Sequence, residues 1–117
     1  MIRVYAYDKC STCRKALQWL QARGIEHEVR AIKETPPGDE DLAAMLAGKG
    51  GELRKLFNTS GMDYRKLNLK ERVPTLTEQE AFALLQSNGM LVKRPFFIGE
   101  GKALTGFREK EWEDAFA

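Results

Sequence analysis

The segment MIRVYAYDKCSTCRKALQWLQARGIEHEVRAI, residues 1–32, decides the fold. Apolar residues alternate with other side chains over residues 2–7, and this period of two predicts a strand. Apolar residues then recur at helical spacing, which predicts a helix over 11–23, with Gly24 just beyond its end. Residues 28–32 predict a second strand. A strand, a helix of about three turns and a strand form a right-handed βαβ unit with parallel strands.

The middle of the chain has a different pattern. Residues from about 35 to 89 show helical apolar spacing interrupted by turn clusters, and Thr77-Glu78-Gln79-Glu80 is a capping box that opens one of these helices. Strand patterns return at 92–98 and 103–105, and a last helix is predicted over 108–116. We therefore predict an α/β fold over residues 1–117: one domain with the order βαβ, helical insertion, ββα, and a mixed four-stranded sheet.

Composition narrows the class of protein. The chain has 117 residues and a net charge of +2, which predicts neither direct binding to nucleic acid nor binding to a membrane. No apolar run is long enough for a transmembrane helix, and the first residues do not resemble a signal peptide. Two cysteines three positions apart are too few for a secreted disulfide framework. We therefore expect a reducing, cytoplasmic location.

The two cysteines, Cys10 and Cys13, lie where the first predicted strand ends and the helix begins. Free N–H groups and a partial positive charge at a helix N-terminus favour a thiolate over a thiol. Lys9, Arg14 and Lys15 add positive charge nearby, so we expect a lowered pKa for Cys10. Cβ atoms three residues apart on a helix are about 5–6 Å apart, close to disulfide distance. Cys10 would attack, and Cys13, on the inward face, would resolve the mixed disulfide.

Two other interpretations of the pair are open. A zinc site needs about four ligands, and His27 is the one further strong candidate, so we expect no metal. The cysteines could also merely pack in the core. The position at the first turn of a βαβ unit favours redox chemistry over both.

Several segments resemble one known family. They are Tyr7-Asp8-Lys9-Cys10-Ser11-Thr12-Cys13-Arg14-Lys15-Ala16, Glu34-Thr35-Pro36-Pro37, Phe57-Asn58-Thr59-Ser60-Gly61 with Tyr64-Arg65-Lys66-Leu67-Asn68-Leu69, Gly89-Met90-Leu91-Val92-Lys93-Arg94-Pro95, and Gly106-Phe107. In order and spacing they resemble the ArsC/Spx family of arsenate-reductase-like proteins, including Spx and MgsR, over essentially the whole chain. The resemblance implies a thioredoxin-like fold.

The resemblance also implies roles for individual residues. Cys10 would be the nucleophile, Arg94 an anion-binding arginine held over Cys10, and Pro95 a proline preceded by a cis peptide bond. An alternative for Arg94 is a surface ion pair. The remaining substrate-binding candidates surround this centre: Ser11, Thr12, Arg14, Asn58, Pro95 and Arg108.

Two departures from the family pattern bear on activity. Arsenate reductases of this fold complete their oxyanion site with two further arginines, and the matching positions here hold Asn58 and Phe107. Those reductases commonly lack a second cysteine at the position of Cys13 and use glutathione and glutaredoxin. The Spx-type regulators have the CxxC pair, use it as a redox switch and bind the C-terminal domain of the RNA polymerase α-subunit.

The sequence therefore supports a thiol–disulfide redox protein that resembles arsenate reductase. We expect it to reduce an oxyanion or a disulfide through Cys10 and Cys13, with no bound cofactor and with glutathione/glutaredoxin or thioredoxin as electron donor and partner. Arsenate itself is predicted to be a poor substrate. The alternative is a Spx-like, redox-switched regulator that binds the RNA polymerase α-subunit. A third, weaker possibility is a redox-inert protein that binds an anion at Arg94.

Overall fold

The strand–helix–strand unit predicted from residues 1–32 forms the start of the sheet. The computed structural model describes residues 1–117, and it begins with β1 (Arg3–Ala6), α1 (Ser11–Ala22) and β2 (Glu28–Ala31). β1 and β2 pair in parallel. Gly24 follows α1 with a φ of +66°, the left-handed conformation that glycine adopts without strain. The predicted βαβ unit is confirmed.

The middle of the chain is helical, as predicted. It contains α2 (Asp39–Gly48), α3 (Met62–Lys66), α4 (Leu69–Arg72) and α5 (Glu78–Ser87), together with short 3₁₀ helices at Leu53–Leu56, Val73–Thr75 and Gly89–Leu91. The predicted capping box opens α5. The Glu80 N–H donates to the Thr77 hydroxyl at 3.1 Å, and the Thr77 N–H donates to the Glu80 carboxylate at 2.8 Å. No helix of the protein combines the length and the apolar character needed to cross a membrane.

The last section returns to the sheet with β3 (Phe96–Gly99) and β4 (Lys102–Thr105), followed by α6 (Glu109–Ala115). β3 pairs antiparallel with both β1 and β4, so the strand order is β2-β1-β3-β4. This mixed four-stranded sheet, with one parallel pair and helices on both faces, confirms the predicted α/β, thioredoxin-like fold.

The strand predicted over residues 92–98 begins four residues too early. Pro95 has no N–H to donate to a ladder, so β3 starts only at Phe96. The residues before it pair with the insertion instead. The Lys93 N–H donates to the Leu56 carbonyl at 2.9 Å, and the Asn58 N–H donates to the Leu91 carbonyl at 2.7 Å. These bonds fix the segment that carries Arg94 against the segment that carries Asn58.

Apolar side chains cover both faces of the sheet. Val4 and Phe97 pack on one face in a core with α1 and α6, whose largest members are Trp19 and Trp112. On the other face, Tyr5 belongs to the core formed with the helical insertion, and it is only 2% exposed. Alternate side chains of β1 therefore enter two different cores, instead of one core and the solvent.

An ion pair fixes α2 against the sheet. The Asp41 carboxylate accepts hydrogen bonds from Arg3 Nε at 3.0 Å and from the Tyr5 hydroxyl at 2.7 Å. Burial opposes ionisation of Asp41, but the hydrogen bonds from Arg3 and Tyr5 outweigh it and lower the pKa of this carboxyl. The insertion is thereby tied by a charged contact to the strand that leads to the cysteine pair.

Candidate active site

Cys10 is the N-cap residue of α1. Its N–H donates to the Tyr7 carbonyl at 3.1 Å, which closes the turn between β1 and the helix. Its Sγ accepts a hydrogen bond of 3.5 Å from the Cys13 N–H, where an N-cap residue normally offers a side-chain oxygen. The first turn of α1 holds no acidic residue. The thiol therefore lies where the helix dipole and the free N–H groups stabilise a negative charge.

The surroundings of Cys10 favour its thiolate. The side chain is half-buried, and this burial opposes ionisation. Hydrogen bonds from Cys13 and the guanidinium of Arg94 outweigh burial, so the pKa of the Cys10 thiol is below its ordinary value. This agrees with the direction expected from the sequence, although the cation that contributes most is Arg94 and not the basic residues next to Cys10 in the chain.

Cys13 has the opposite environment. It is fully buried on the inward face of α1, in the core that contains Val4 and Phe97. Burial, together with the neighbouring Cys10, raises the pKa of the Cys13 thiol to about 12, although its Sγ accepts a hydrogen bond of 3.5 Å from the Tyr7 N–H. Both cysteines are free thiols. One CxxC pair thus contains an ionisable, accessible thiol and a protonated, inaccessible one.

Arg94 lies close enough to the cysteine pair to act on the ionisation of both thiols. Its peptide bond to Pro95 is cis, as predicted. The guanidinium lies over the ring of Tyr7, 5.2 Å from the ring centroid, and Nη1 contacts Met90 Sδ at 3.8 Å. The Nε atom is buried and has no hydrogen-bond partner. The arginine is therefore held by contacts that leave donor capacity free beside Cys10.

The predicted substrate-binding residues of α1 fall into two groups. Ser11 and Thr12 follow Cys10 in the first turn of the helix, Ser11 exposed and Thr12 half-buried. Arg14 lines a separate cavity of about 390 Å³ between α1 and β2, together with Leu17 and Val29. Arg14 consequently flanks the helix on the side of β2 and does not share the cavity that contains Arg94.

The other predicted substrate-binding residues, Asn58, Pro95 and Arg108, do not all lie in one cavity. Asn58 and Arg94 line one cavity of about 290 Å³, and Pro95, which is buried, follows Arg94 directly. Arg108 lines a different cavity of about 520 Å³, next to Lys93. The two cavities have no lining residue in common. The structure thus places Asn58 and Arg94 in one cavity, together with Asp63, keeps Pro95 next to Arg94 through the chain alone, and places Arg108 elsewhere.

His27 lies at the opposite end of the sheet from the cysteine pair. It immediately precedes β2, which is parallel to β1, whereas Cys10 follows the end of β1. Its Nδ1 atom is 2.7 Å from the Ile25 carbonyl oxygen. His27 is therefore not positioned as a base for Cys10. No group of three or more His, Cys, Asp or Glu side chains is arranged to hold a metal ion.

With the geometry described, comparison with known proteins gives the family. The sequence pattern of the ArsC family matches residues 5–115. The chain belongs to the ArsC family. It is 47% identical to the uncharacterized protein YusI of Bacillus subtilis over 97% of this chain and 96% of YusI. It is 32% identical to the global transcriptional regulator Spx of Enterococcus faecalis, over 95% of this chain and 83% of Spx.

Solved structures of the family have the same fold. The crystal structure of a possible arsenate reductase from Streptococcus mutans matches with a TM-score of 0.86 and 40% identity, over 97% of this chain and 98% of that one. The predicted membership of the ArsC/Spx family is therefore confirmed. The relatives include both reductase-like proteins and a transcriptional regulator, so family membership establishes the fold and the motif and leaves the reaction to be proposed.

Tyr7 and Met90 contact Arg94 in this ArsC-family site but are not among the predicted catalytic or substrate-binding residues, although both lie in segments that carry the family resemblance. Tyr7 continues the alternation of β1, yet its N–H binds Cys13 Sγ and its ring lies under Arg94. Met90 belongs to the 3₁₀ helix Gly89–Leu91, four residues before Arg94. An aromatic residue three positions before the N-cap cysteine would have been the available sign for Tyr7. For Met90 the local apolar pattern offers none.

Proposed function

We propose that the protein is a thiol–disulfide oxidoreductase in which Cys10 is the nucleophile and Cys13 the resolving cysteine. The observation that carries this proposal is the difference between the two thiols of the pair. The pKa of Cys10 is lowered by Cys13 and Arg94, whereas the pKa of Cys13 is raised to about 12 in the core. At neutral pH a thiolate attacks and a thiol does not, so the order of the two steps follows from their positions.

In the first step the Cys10 thiolate attacks one sulfur of a substrate disulfide. A bond forms between Cys10 Sγ and that sulfur, the substrate S–S bond breaks, and the other sulfur leaves as a thiolate that takes a proton from solvent. Arg94, beside Cys10, offers a cation to the developing thiolate of the leaving group. The product is a mixed disulfide on Cys10.

The second step uses Cys13. Formation of the mixed disulfide removes the negative charge of Cys10, which is one of the causes that raise the pKa of Cys13. Cys13 then loses its proton and attacks Cys10 Sγ, and the second half of the substrate leaves as a thiol once that proton has been transferred. The balance is two electrons from the Cys10–Cys13 dithiol to the substrate disulfide, with an intramolecular disulfide left on the protein.

Return to the dithiol needs an external reductant. A thiol system of the cytoplasm, either glutathione with glutaredoxin or thioredoxin, would transfer two electrons back to the Cys10–Cys13 disulfide. We propose one of these as the partner and the cytoplasm as the location. No bound cofactor takes part, because the electrons pass between sulfur atoms only.

Reduction of an oxyanion is supported less well than reduction of a disulfide. Of the cations expected in an arsenate site, only Arg94 is adjacent to Cys10. Asn58, in the same cavity, is neutral, and Phe107 packs against Trp112 with their ring centroids 5.1 Å apart. A developing oxyanion would thus have one guanidinium to stabilise it.

The experiment is a disulfide-reduction assay with a model disulfide, NADPH, and either thioredoxin and its reductase or glutathione, glutaredoxin and their reductase. Wild type should turn over, and Cys10→Ser should not. Cys13→Ser should complete the first step only and should retain a mixed disulfide detectable by mass spectrometry. A Cys13→Ser variant that forms no adduct, or a Cys10→Ser variant that forms one on Cys13, would contradict the assignment.

A second candidate function is that of a redox-switched regulator that binds the C-terminal domain of the RNA polymerase α-subunit. The observation in its favour is the similarity to Spx over 95% of this chain. The test is binding of the purified α-subunit domain to the dithiol and disulfide forms. Binding that changes between the two forms, without turnover of any disulfide, would favour the regulator over the enzyme.

A further inference from the structure

A basic cavity of about 520 Å³ lies beside the segment that carries Arg94. It is formed where the end of α2, the 3₁₀ helix Leu53–Leu56 and the connection between β4 and α6 meet. We call it the basic cavity. Its charged lining residues are Lys49, Arg54, Lys55, Lys93, Arg108 and Glu111. Five cations and one carboxylate give the lining residues a charge of +4, in a chain whose net charge is only +2.

These cations lack counterions in the protein. Lys49, Arg54, Lys93 and Arg108 have no carboxylate within 4.0 Å, and only Lys55 forms an ion pair, with the exposed Glu52. Unpaired like charges around one concavity repel one another and raise the local positive potential. An arrangement of this kind is costly unless an anion occupies it.

Two of the lysines, Lys93 and Lys49, differ in their surroundings. Cε of Lys93 lies 3.4 Å from the point that a Cβ atom would occupy on residue 106. The aliphatic part of Lys93 therefore lies next to Gly106, whose φ is +69°. Lys49 is half-buried just after α2, and burial lowers its pKa; the nearby Glu111 carboxylate opposes this shift, and Lys93 and Lys55 add to it. Lys49 thus lies in a partly desolvated position, whereas Lys93 is exposed and lines the same cavity.

We propose that the basic cavity binds a small linear oligophosphate, either free or as the phosphate chain of a nucleotide. The volume is in the range of about 300–1,000 Å³ that small-molecule sites occupy. A nucleoside triphosphate has about four negative charges at neutral pH, since its terminal phosphate holds nearly two and each of the others one. This is similar to the charge of +4 on the lining residues, or +3 once the Glu52 partner of Lys55 is counted, and the guanidinium fork of an arginine can bind two phosphate oxygens.

The basic cavity contains neither cysteine, although Phe107, at the place of a family arginine, is one of its lining residues. The basic cavity shares no lining residue with the cavity of Arg94 and Asn58, so an anion bound here would not need Cys10. The proposal can therefore fail while the oxidoreductase proposal holds, and the reverse is also true.

The test is calorimetric titration of the reduced protein with pyrophosphate, tripolyphosphate, ATP, AMP and citrate at low and at physiological salt. We expect tripolyphosphate or ATP to bind most tightly, AMP and citrate weakly, and salt to weaken binding. Preference for tripolyphosphate would indicate a free phosphate chain, and preference for ATP a nucleotide. Lys49→Gln/Lys93→Gln should lose at least about tenfold in affinity, because two charge-assisted contacts are removed. Arg94→Ala should bind as wild type does.

The matched control is Lys33→Gln/Lys66→Gln, which removes the same charge from two exposed lysines outside the cavity. This control should keep most of the wild-type affinity for tripolyphosphate and ATP. Equal losses in both double variants would overturn the proposal in favour of general attraction to a basic protein. Citrate or an acidic peptide binding as tightly as tripolyphosphate would also overturn it, as would no binding at low salt. Chemical shifts of the Gly106 amide on titration give a second, local readout of occupancy.

Discussion

The N–H of Cys13 donates a hydrogen bond of 3.5 Å to Sγ of Cys10, so the backbone of residue 13 stabilises a thiolate at residue 10. The Cys13 side chain lies in the core, where Sγ accepts from the Tyr7 N–H, and it is close enough to Cys10 for each thiol to shift the pKa of the other. One turn of helix thereby provides two thiols with opposite ionisation behaviour. This asymmetry leads to measurable differences in reactivity, in pH dependence and in the effect of substitutions.

Alkylation should distinguish the two cysteines. In the reduced, folded protein at neutral pH we expect Cys10 to react with iodoacetamide at least about tenfold faster than Cys13, because the reactive species is the thiolate. The rate at Cys10 should reach its plateau at a lower pH than the rate of a free cysteine does. Competitive labelling followed by mass spectrometry measures both sites. Equal rates, or faster reaction at Cys13, would refute the assigned roles.

The stability of the reduced protein should depend on pH through the same two groups. Cys10 has a lowered pKa in the fold, so between that pKa and the unfolded value of about 8.5 the native state has lost a proton that the unfolded chain keeps, and stability rises with pH. Cys13 titrates near 12 in the fold, so between about 8.5 and 12 only the unfolded chain loses the proton, and stability falls with pH.

Denaturant unfolding under reducing conditions at a series of pH values measures these slopes. Cys10→Ser should flatten the rise below about pH 8.5, and Cys13→Ala should flatten the fall above it. The comparison is between slopes, because loss of a buried side chain at residue 13 lowers stability at every pH. Unchanged slopes in both variants would show that the thiols titrate alike in the folded and unfolded chains.

Arg94 should control the ionisation of Cys10. Arg94→Ala removes a cation that lowers this pKa, so the alkylation rate at neutral pH should fall and its pH profile should shift upward. Arg94→Lys should restore part of the shift, since it returns the charge without the planar fork. Lys15→Ala is the control, because Lys15 is exposed on α1 and takes no part in the contacts of Cys10. If Lys15→Ala and Arg94→Ala shifted the pH profile of Cys10 alkylation equally, the overall charge of the protein and not the position of Arg94 would control the pKa of Cys10.

The ion pair of Asp41 should be a larger contributor to stability than the surface ion pairs. Asp41→Ala leaves Arg3 and the Tyr5 hydroxyl without their partner at a partly buried position, and we expect a loss of about 2–4 kcal/mol in the free energy of unfolding. Glu113→Ala, which breaks an exposed pair with Arg23, should cost about 0–1 kcal/mol. Denaturant unfolding of both variants measures the difference, and equal losses would contradict the interpretation.

The parts of the fold that follow from local pattern were predictable. The βαβ unit, the insertion and the capping box at Thr77 depend on periodicity and on short-range hydrogen bonds, which the sequence displays directly. The start of β3 was not predicted correctly, because residues 92–93 pair with Leu56 and Phe57, distant in the chain. Pairing at such a distance leaves no periodic signal.

The cysteine pair was predictable from local sequence, whereas the positions of the arginines around it were less so. Cys10 and Cys13 are placed by the first turn of a helix, which a local pattern reveals. The proximity of Arg94 to Cys10 came from a resemblance between motifs and not from periodicity, because residues 10 and 94 meet only through the tertiary fold. Phe107 and Arg108 both line the basic cavity, which has no lining residue in common with the cavity of Arg94 and Asn58, and a pattern of motifs in the sequence does not reveal this separation.

Arsenate should be reduced slowly or not at all by the wild-type protein. Only Arg94 offers a guanidinium beside Cys10, and Asn58 in the same cavity is neutral. Asn58→Arg should therefore raise arsenate turnover in an assay coupled to glutathione and glutaredoxin, by about tenfold or more, because a second cation would stabilise the bound oxyanion.

Phe107→Arg is a poorer test, since Phe107 packs against Trp19 and Trp112 and its loss would disturb that core. Lys66→Arg, on the exposed surface, is the control for added guanidinium elsewhere. Rapid turnover by wild type would show that Arg94 alone suffices, and the inference from Asn58 would then be wrong.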